Sequence, residues 1–265
     1  MFDLFDLLLL RRGTPADDRT LRFRRIDGSA TAKVIYFLPW HTRFAVARQA
    51  GFTPLDFLAC YEMPLAIVSS VPELCAQAMQ GLVADAESLL QDRAIRGQDA
   101  VIVGLSVGTY PATYLANRIG ARLCSVASAD RADLAIWESP ATRMVKHRAI
   151  QKGLQLSDYS MALDGTHPVQ NLKAIARDSI FVVGQRDPFI PECRNAGLLQ
   201  AIETQVRSAH VIKLDGGHFQ TLRASGRYQR EMLGLKPART GLPVRIPTFG
   251  RLAIERASKD AIPRL

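Results

Sequence analysis

Ser106 stands in Gly104-Leu105-Ser106-Val107-Gly108, a Gly-x-Ser-x-Gly spacing set between an apolar run at 99–104 and a helix-period segment over 107–119. The bare pattern is weak; its position carries the weight. A strand that turns into a helix within so few residues forces its central residue into a strained backbone. Small flanking residues are needed for such a turn. The Ser106 hydroxyl is thereby raised above the sheet's carboxyl end, with the helix's free N–H groups facing it. A serine hydroxyl becomes an effective nucleophile once a base removes its proton during attack.

The chain has five histidines: His41, His147, His167, His210 and His218. His218 follows an apolar run at 210–214 in Asp215-Gly216-Gly217-His218-Phe219, and is expected in a glycine-freed loop at the sheet's carboxyl edge. His210 opens that run and should point away from this edge, in a structural role. His147 and His167 fall in a polar stretch where surface histidines are ordinary. A base also needs a carboxylate to fix its tautomer and stabilise its charged form. Asp187 suits this task in the proline-braced Asp187-Pro188-Phe189-Ile190-Pro191, just after the run at 179–183. Glu138, after a strand expected at 134–137, is the alternative acid, and Asp215 is too near His218 in sequence.

The elements that must position these groups alternate between apolar runs and helix-period segments, the pattern of an α/β fold with a largely parallel sheet. Strands are expected at 21–26 (an edge strand, alternately apolar and basic), 34–38, 65–68, 99–104, 134–137, 179–183 and 210–214. A long helix after 65–68 is marked by Ser70 and Glu73 as a capping box, with Pro72 in the first turn. Cys75, Met79, Leu82, Ala86, Leu89 and Leu90 fall on one face of it at helical spacing.

The length of 265 residues fits one large domain, and the 48% hydrophobic fraction allows a sizeable core. Residues 1–20 read as a short N-terminal docking segment, with weak membrane-surface contact as the other option. The run at 1–10 is broken by Asp3 and Asp6 and followed, not preceded, by Arg11 and Arg12, unlike a secretory signal. No apolar run approaches the ~18 residues of a transmembrane segment. The four cysteines show no metal-ligand or disulfide spacing, so a cytoplasmic setting is expected, with no metal. The net charge of +9 is concentrated in residues 236–265, where seven basic residues face two acidic ones among four prolines. This basic tail reads as an appendage to a domain over 21–235, and nucleic acid is not the expected partner.

Ser106, Asp187 and His218, in that order and each after its own strand, resemble the α/β-hydrolase superfamily over roughly residues 21–235. The resemblance implies an α/β-hydrolase fold: an eight-stranded, mostly parallel central sheet flanked by helices, with a small cap within 139–172. It implies Ser106 as nucleophile, Asp187 as acid, His218 as base and the Val107 N–H as one oxyanion-hole donor. Members usually carry His-Gly after the strand that here ends at Leu38. This chain has Pro39-Trp40-His41-Thr42 instead. Proline has no N–H, which leaves Trp40 or His41 as the second donor.

The expected function is a serine hydrolase that cleaves a small or medium carboxylic ester, thioester or amide through an acyl-enzyme on Ser106, with no cofactor. Met144, Leu154, Leu156, Tyr159 and Met161 are candidates to line an apolar acyl site. An acyltransferase with the same three residues, or a non-catalytic binding or receptor module, are the alternatives.

Overall fold

A computed structural model describes residues 19–206 and 208–235 of the chain. The proposed docking segment (but for its last two residues) and the basic tail at 236–265 lie outside the described residues.

Among the described residues seven strands form one sheet in the order β1-β3-β2-β4-β5-β6-β7. They are β1 (Arg24–Asp27), β2 (Val34–Phe37), β3 (Ala59–Glu62), β4 (Val101–Leu105), β5 (Arg122–Val126), β6 (Ile180–Gly184) and β7 (His210–Leu214). Among the described strands only β1 runs antiparallel to its neighbour β3; every other pairing is parallel. Strands β2, β3, β4 and β6 are buried along their whole length. This is what a parallel sheet covered on both faces demands, and it explains why β2, β4 and β6 read as unbroken apolar runs, whereas β3 ends in the charged Glu62. The edge strand β1 exposes Arg24 and Arg25, which discourage pairing with another chain. At the opposite edge β7 is part-exposed throughout, so it is wetter than the buried strand its sequence suggested.

Among the described residues eight α-helices connect and cover these strands: α1 (Phe44–Gln49), α2 (Pro72–Asp92), α3 (Thr109–Ile119), α4 (Ala132–Glu138), α5 (Arg143–Gln151), α6 (Leu156–Ala162), α7 (Glu192–Gln205) and α8 (His218–Met232). Helix α2 buries Cys75, Met79, Leu82, Ala86, Leu89 and Leu90, the face its spacing predicted. Its expected capping box does not form. Val71 is the N-cap residue and contributes no side-chain cap. Ser70 lies one position too early, and its hydroxyl accepts a hydrogen bond from Lys152 at 2.5 Å instead.

Two expected strands are not strands. Residues Leu65–Val68 form a 3-10 turn with Ala66, Ile67 and Val68 buried, and 134–137 lie inside α4. Short buried apolar runs do not reveal their period, so burial alone cannot separate a strand from a helical turn. Two short strands take their places in the sheet, β3 and β5. Their sequences, Ala-Cys-Tyr-Glu and Arg-Leu-Cys-Ser-Val, hold little β-branched character. The described sheet therefore has seven strands where the resemblance implied eight. Helices α4, α5 and α6 all fall between β5 and β6, so the helical insertion starts before residue 139. Tyr159 of α6 is fully buried and donates its hydroxyl to the Ser69 carbonyl at 2.7 Å, which ties the insertion to the loop before α2.

Candidate active site

Strand β4 ends at Leu105 in extended conformation, and Ser106 follows with φ +55°. A positive φ is uncommon for a residue with a side chain and marks stored backbone strain. The next residues form one 3-10 turn and pass directly into α3. Both flanking glycines are required by contact. A Cβ at Gly104 would lie 2.6 Å from the Ala112 Cβ and the Thr109 Cα, so α3 could not close onto the strand. A Cβ at Gly108 would lie 2.3 Å from the Phe37 carbonyl oxygen and 2.7 Å from that of Leu38. Thr109 donates its hydroxyl to the Ser106 carbonyl at 2.6 Å and braces the turn from within.

His218 is the first residue of α8, not a loop residue, with Gly217 as the N-cap. The Gln220 side chain accepts from the Gly217 N–H at 3.3 Å and steadies this helix start. Asp187 follows β6, and its loop is stitched to the loop before α8. Gln185 N–H donates to the Leu214 carbonyl at 2.9 Å and Arg186 N–H to the Gly216 carbonyl at 3.2 Å. Arg186 also pairs with Asp215 at 2.6 Å across the same two loops. That pair is well exposed, so the backbone bonds matter more to the loops' registration.

The three side chains meet in a line. His218 Nδ1 lies 2.6 Å from Asp187 Oδ2, and His218 Nε2 lies 2.9 Å from Ser106 Oγ. The Asp187 side chain is fully buried and that of His218 nearly so. A histidine tautomer with the proton on Nδ1 donates to the carboxylate and leaves the Nε2 lone pair facing the serine hydroxyl. The second Asp187 oxygen, Oδ1, accepts the Phe189 N–H at 2.9 Å. A buried carboxylate is costly unless both oxygens find donors, and here both do.

Glu138 does not join this group. It ends α4, where its carboxylate pairs with Arg194 of α7 at 3.3 Å. It looked like an acid after a strand only because 134–137 looked like a strand. His210 opens β7 and is exposed, and His147 is exposed on α5. His167 departs from the surface role expected of it. It is 2% exposed, with Nε2 3.6 Å from the fully buried carboxylate of Asp133. Burial pushes its pKa below the usual histidine value, with Arg131 adding to the effect against the pull of Asp133. Burial alone would raise Asp133, but hydrogen bonds from Arg131 and Ser160 outweigh it and hold this carboxyl low.

The loop after β5 supplies a buried carboxylate that the sequence reading passed over, Asp130, which pairs with Arg194 at 3.2 Å. Desolvation pushes its pKa up despite that partner. Its signal was hidden because β5 itself went unread.

Residues 39–42 form a tight turn closed by the Thr42 N–H on the Pro39 carbonyl at 3.1 Å, with His41 at φ +59°. The Trp40 indole donates to the Leu65 carbonyl at 3.3 Å, and the His41 ring packs on it with centroids 4.1 Å apart. Partial desolvation of the ring pushes the His41 pKa down, although the residue as a whole is exposed. The turn follows β2, whose Phe37 lies in register with Gly104 of β4, so it adjoins the Ser106 turn. The candidate acyl-site residues are dispersed: Met161 is 72% exposed, Met144 is exposed, and Tyr159 belongs to the core. Among the described residues no group of three His, Cys, Asp or Glu side chains is placed to hold a metal ion. No described helix is long and apolar enough to cross a membrane.

No family model matches the chain, and no curated protein matches it in sequence. Solved structures do match in fold. TT1662 from Thermus thermophilus superposes with a TM-score of 0.55 at 14% identity, over 82% of this chain and 97% of that one. MGS-M2, an alpha/beta hydrolase enzyme from a Medee basin deep-sea metagenome library, gives 0.51 at 13% identity over 85% and 96%. Oligopeptidase B from Leishmania major gives 0.55 at 11% identity, over 80% of this chain and 37% of that one. The chain has the α/β-hydrolase fold. At these identities the likeness concerns the fold, and chemistry must be argued from the site.

Proposed function

We propose that this chain is a serine hydrolase that cleaves a carboxylic ester or related acyl bond through an acyl-enzyme on Ser106. The observation that carries this reading is the continuous hydrogen-bonded line from Ser106 through His218 to Asp187, anchored on a strained turn at the sheet's carboxyl edge.

In this reading His218 Nε2 takes the hydroxyl proton as Ser106 Oγ adds to the substrate carbonyl carbon. Asp187 keeps the imidazole in the productive tautomer and stabilises it once charged. The carbonyl oxygen, now an oxyanion, accepts from the Val107 N–H and from the Trp40 N–H, the donor that replaces the absent His-Gly segment. The tetrahedral species collapses and the leaving group departs with the proton from His218. Water then attacks the acyl-enzyme while His218 takes its proton, and the acid leaves with Ser106 restored. The close seating of Gly108 on Phe37 and Leu38 supports the pairing of Val107 with the turn at Trp40.

The test is labelling with a fluorophosphonate probe. Wild-type protein is expected to be labelled at Ser106, and Ser106→Ala to take no label and to lose turnover of short p-nitrophenyl esters. Equal labelling of both proteins would remove the reading.

A further inference from the structure

Resting on the serine-hydrolase reading, we propose that Phe189 is a positioning residue that aligns the acid and the base of this site at once, its amide acting on Asp187 and its ring on His218.

The Phe189 N–H donates to Asp187 Oδ1 at 2.9 Å, which leaves Oδ2 turned toward the imidazole. The phenyl ring of the same residue stands at 89° to the His218 ring, with centroids 5.1 Å apart. This edge-to-face geometry is the one in which the positive rim of one ring meets the negative face of the other. Phe219 makes a second contact of this type with His218 at 5.8 Å and 83°, and Phe219 in turn stacks on Phe52 at 6.4 Å. Phe52 and Phe189 are both buried, so the series Phe189–His218–Phe219–Phe52 is fixed at each end by packing.

The imidazole needs such support for a chemical reason. Its two nitrogens face Asp187 and Ser106, and the bond to Ser106 is broken and remade in every turnover. During those intervals the Ser106 side of the ring loses its hydrogen bond, and the ring needs bracing against rotation about its Cβ–Cγ bond. Perpendicular aromatic neighbours oppose that rotation, because a turned ring loses the edge-to-face match. The Phe189 ring also helps keep water from the Asp187–His218 hydrogen bond, which is stronger in a site of low dielectric. The backbone contribution is independent of the side chain, so a substitution at 189 separates the two roles.

The experiment compares Phe189→Leu and Phe189→Tyr with wild type in three measurements: thermal unfolding, kcat and KM on a p-nitrophenyl ester, and the proton spectrum of the His218 Nδ1–H. A short, water-shielded bond to a carboxylate moves that proton far downfield of the amide region. Phe189→Leu keeps an apolar side chain but no ring. It is expected to lower kcat roughly three- to tenfold at unchanged KM, and to broaden the downfield proton through exchange with water. Phe189→Tyr restores the ring and should recover both. If Phe189→Leu does not fold, Phe189→Met serves as the ringless variant with the same expectations. Retention of the resonance and of kcat in the ringless variant, with a change in melting temperature alone, would overturn the proposal; so would equal losses in the leucine and tyrosine variants. A wild-type spectrum without the downfield proton would also overturn it. The spectrum requires no turnover. A wild type that shows the proton but takes no fluorophosphonate label sinks the serine-hydrolase reading, while the spectra still decide what Phe189 does.

Discussion

A Cβ placed on Gly184 would lie 2.5 Å from the Thr221 hydroxyl and 2.9 Å from the Gly216 carbonyl oxygen. Gly184 ends the strand that leads to Asp187, and Thr221 lies on the first turn of the helix that begins with His218. The strand that leads to Asp187 thus has no room for a side chain against Thr221 of α8 and the Gly216 carbonyl just before it, and the 2.6 Å hydrogen bond between Asp187 and His218 spans these same two elements.

Gly184→Ala should therefore force α8 outward. Overpacking of this kind typically costs about 1–3 kcal/mol. The expected result is a lower melting temperature together with a loss of esterase activity larger than the unfolded fraction explains. A variant with wild-type kcat would show that the close approach is not needed for alignment.

The two carboxylates weighed as the acid make opposite predictions. Asp187→Asn should leave the fold intact and lower kcat by roughly 10⁴-fold, because the amide corrupts the histidine tautomer. Glu138→Gln removes only one of two carboxylate partners of Arg194 and should leave kcat within about threefold. Ester-hydrolysis kinetics on the two purified variants decide the assignment. A reversed order of severity would move the acid to Glu138.

The role given to Trp40 concerns its backbone, which a paired substitution isolates. Trp40→Ala removes the indole but keeps the N–H; Trp40→Pro removes both. Proline is well suited to the second position of a tight turn, so the backbone should tolerate it. The expected gap between the two variants is about 100–1,000-fold in kcat, the typical cost of one oxyanion donor. Equal activities would place the second donor elsewhere.

Stability should fall in mild acid, and His167 should be one cause. Its pKa is depressed in the folded state, so the unfolded chain binds more protons between that lowered value and the usual ~6.5. This contribution to stability is complete above about pH 6.5 and is lost as the pH falls below it. The slope from one such group cannot exceed ~1.4 kcal/mol per pH unit. Urea unfolding at pH 7.0 and 5.5 should show a smaller drop for His167→Asn than for wild type, whatever the variant's absolute stability. His41, whose pKa is also lowered, contributes in the same direction, so the variant's slope should shrink without vanishing.

The sequence by itself pointed to Ser106, Asp187 and His218, which the fold brings within hydrogen-bond reach of one another, because a tight strand-to-helix turn leaves local marks. The Ser106 turn needs glycine on both sides, and both glycines are in the motif. Buried parallel strands must be apolar throughout, which made β2, β4 and β6 readable. The buried face of α2 repeats at the helical period, which made that helix readable too. Tertiary structure alone decided the rest. Residues 65–68 and 134–137 are as apolar as real strands, and only competition for places in the sheet excluded them, in favour of the plainer sequences of β3 and β5. That competition removed Glu138 from the sheet's edge, and the packing of the insertion buried His167 beside Asp133. The reason is one of range: periodicity and turn chemistry act between neighbours in the chain. Pairing partners, burial of a polar side chain and an edge-to-face contact such as Phe189 on His218 arise between residues tens of positions apart, where local pattern carries no information.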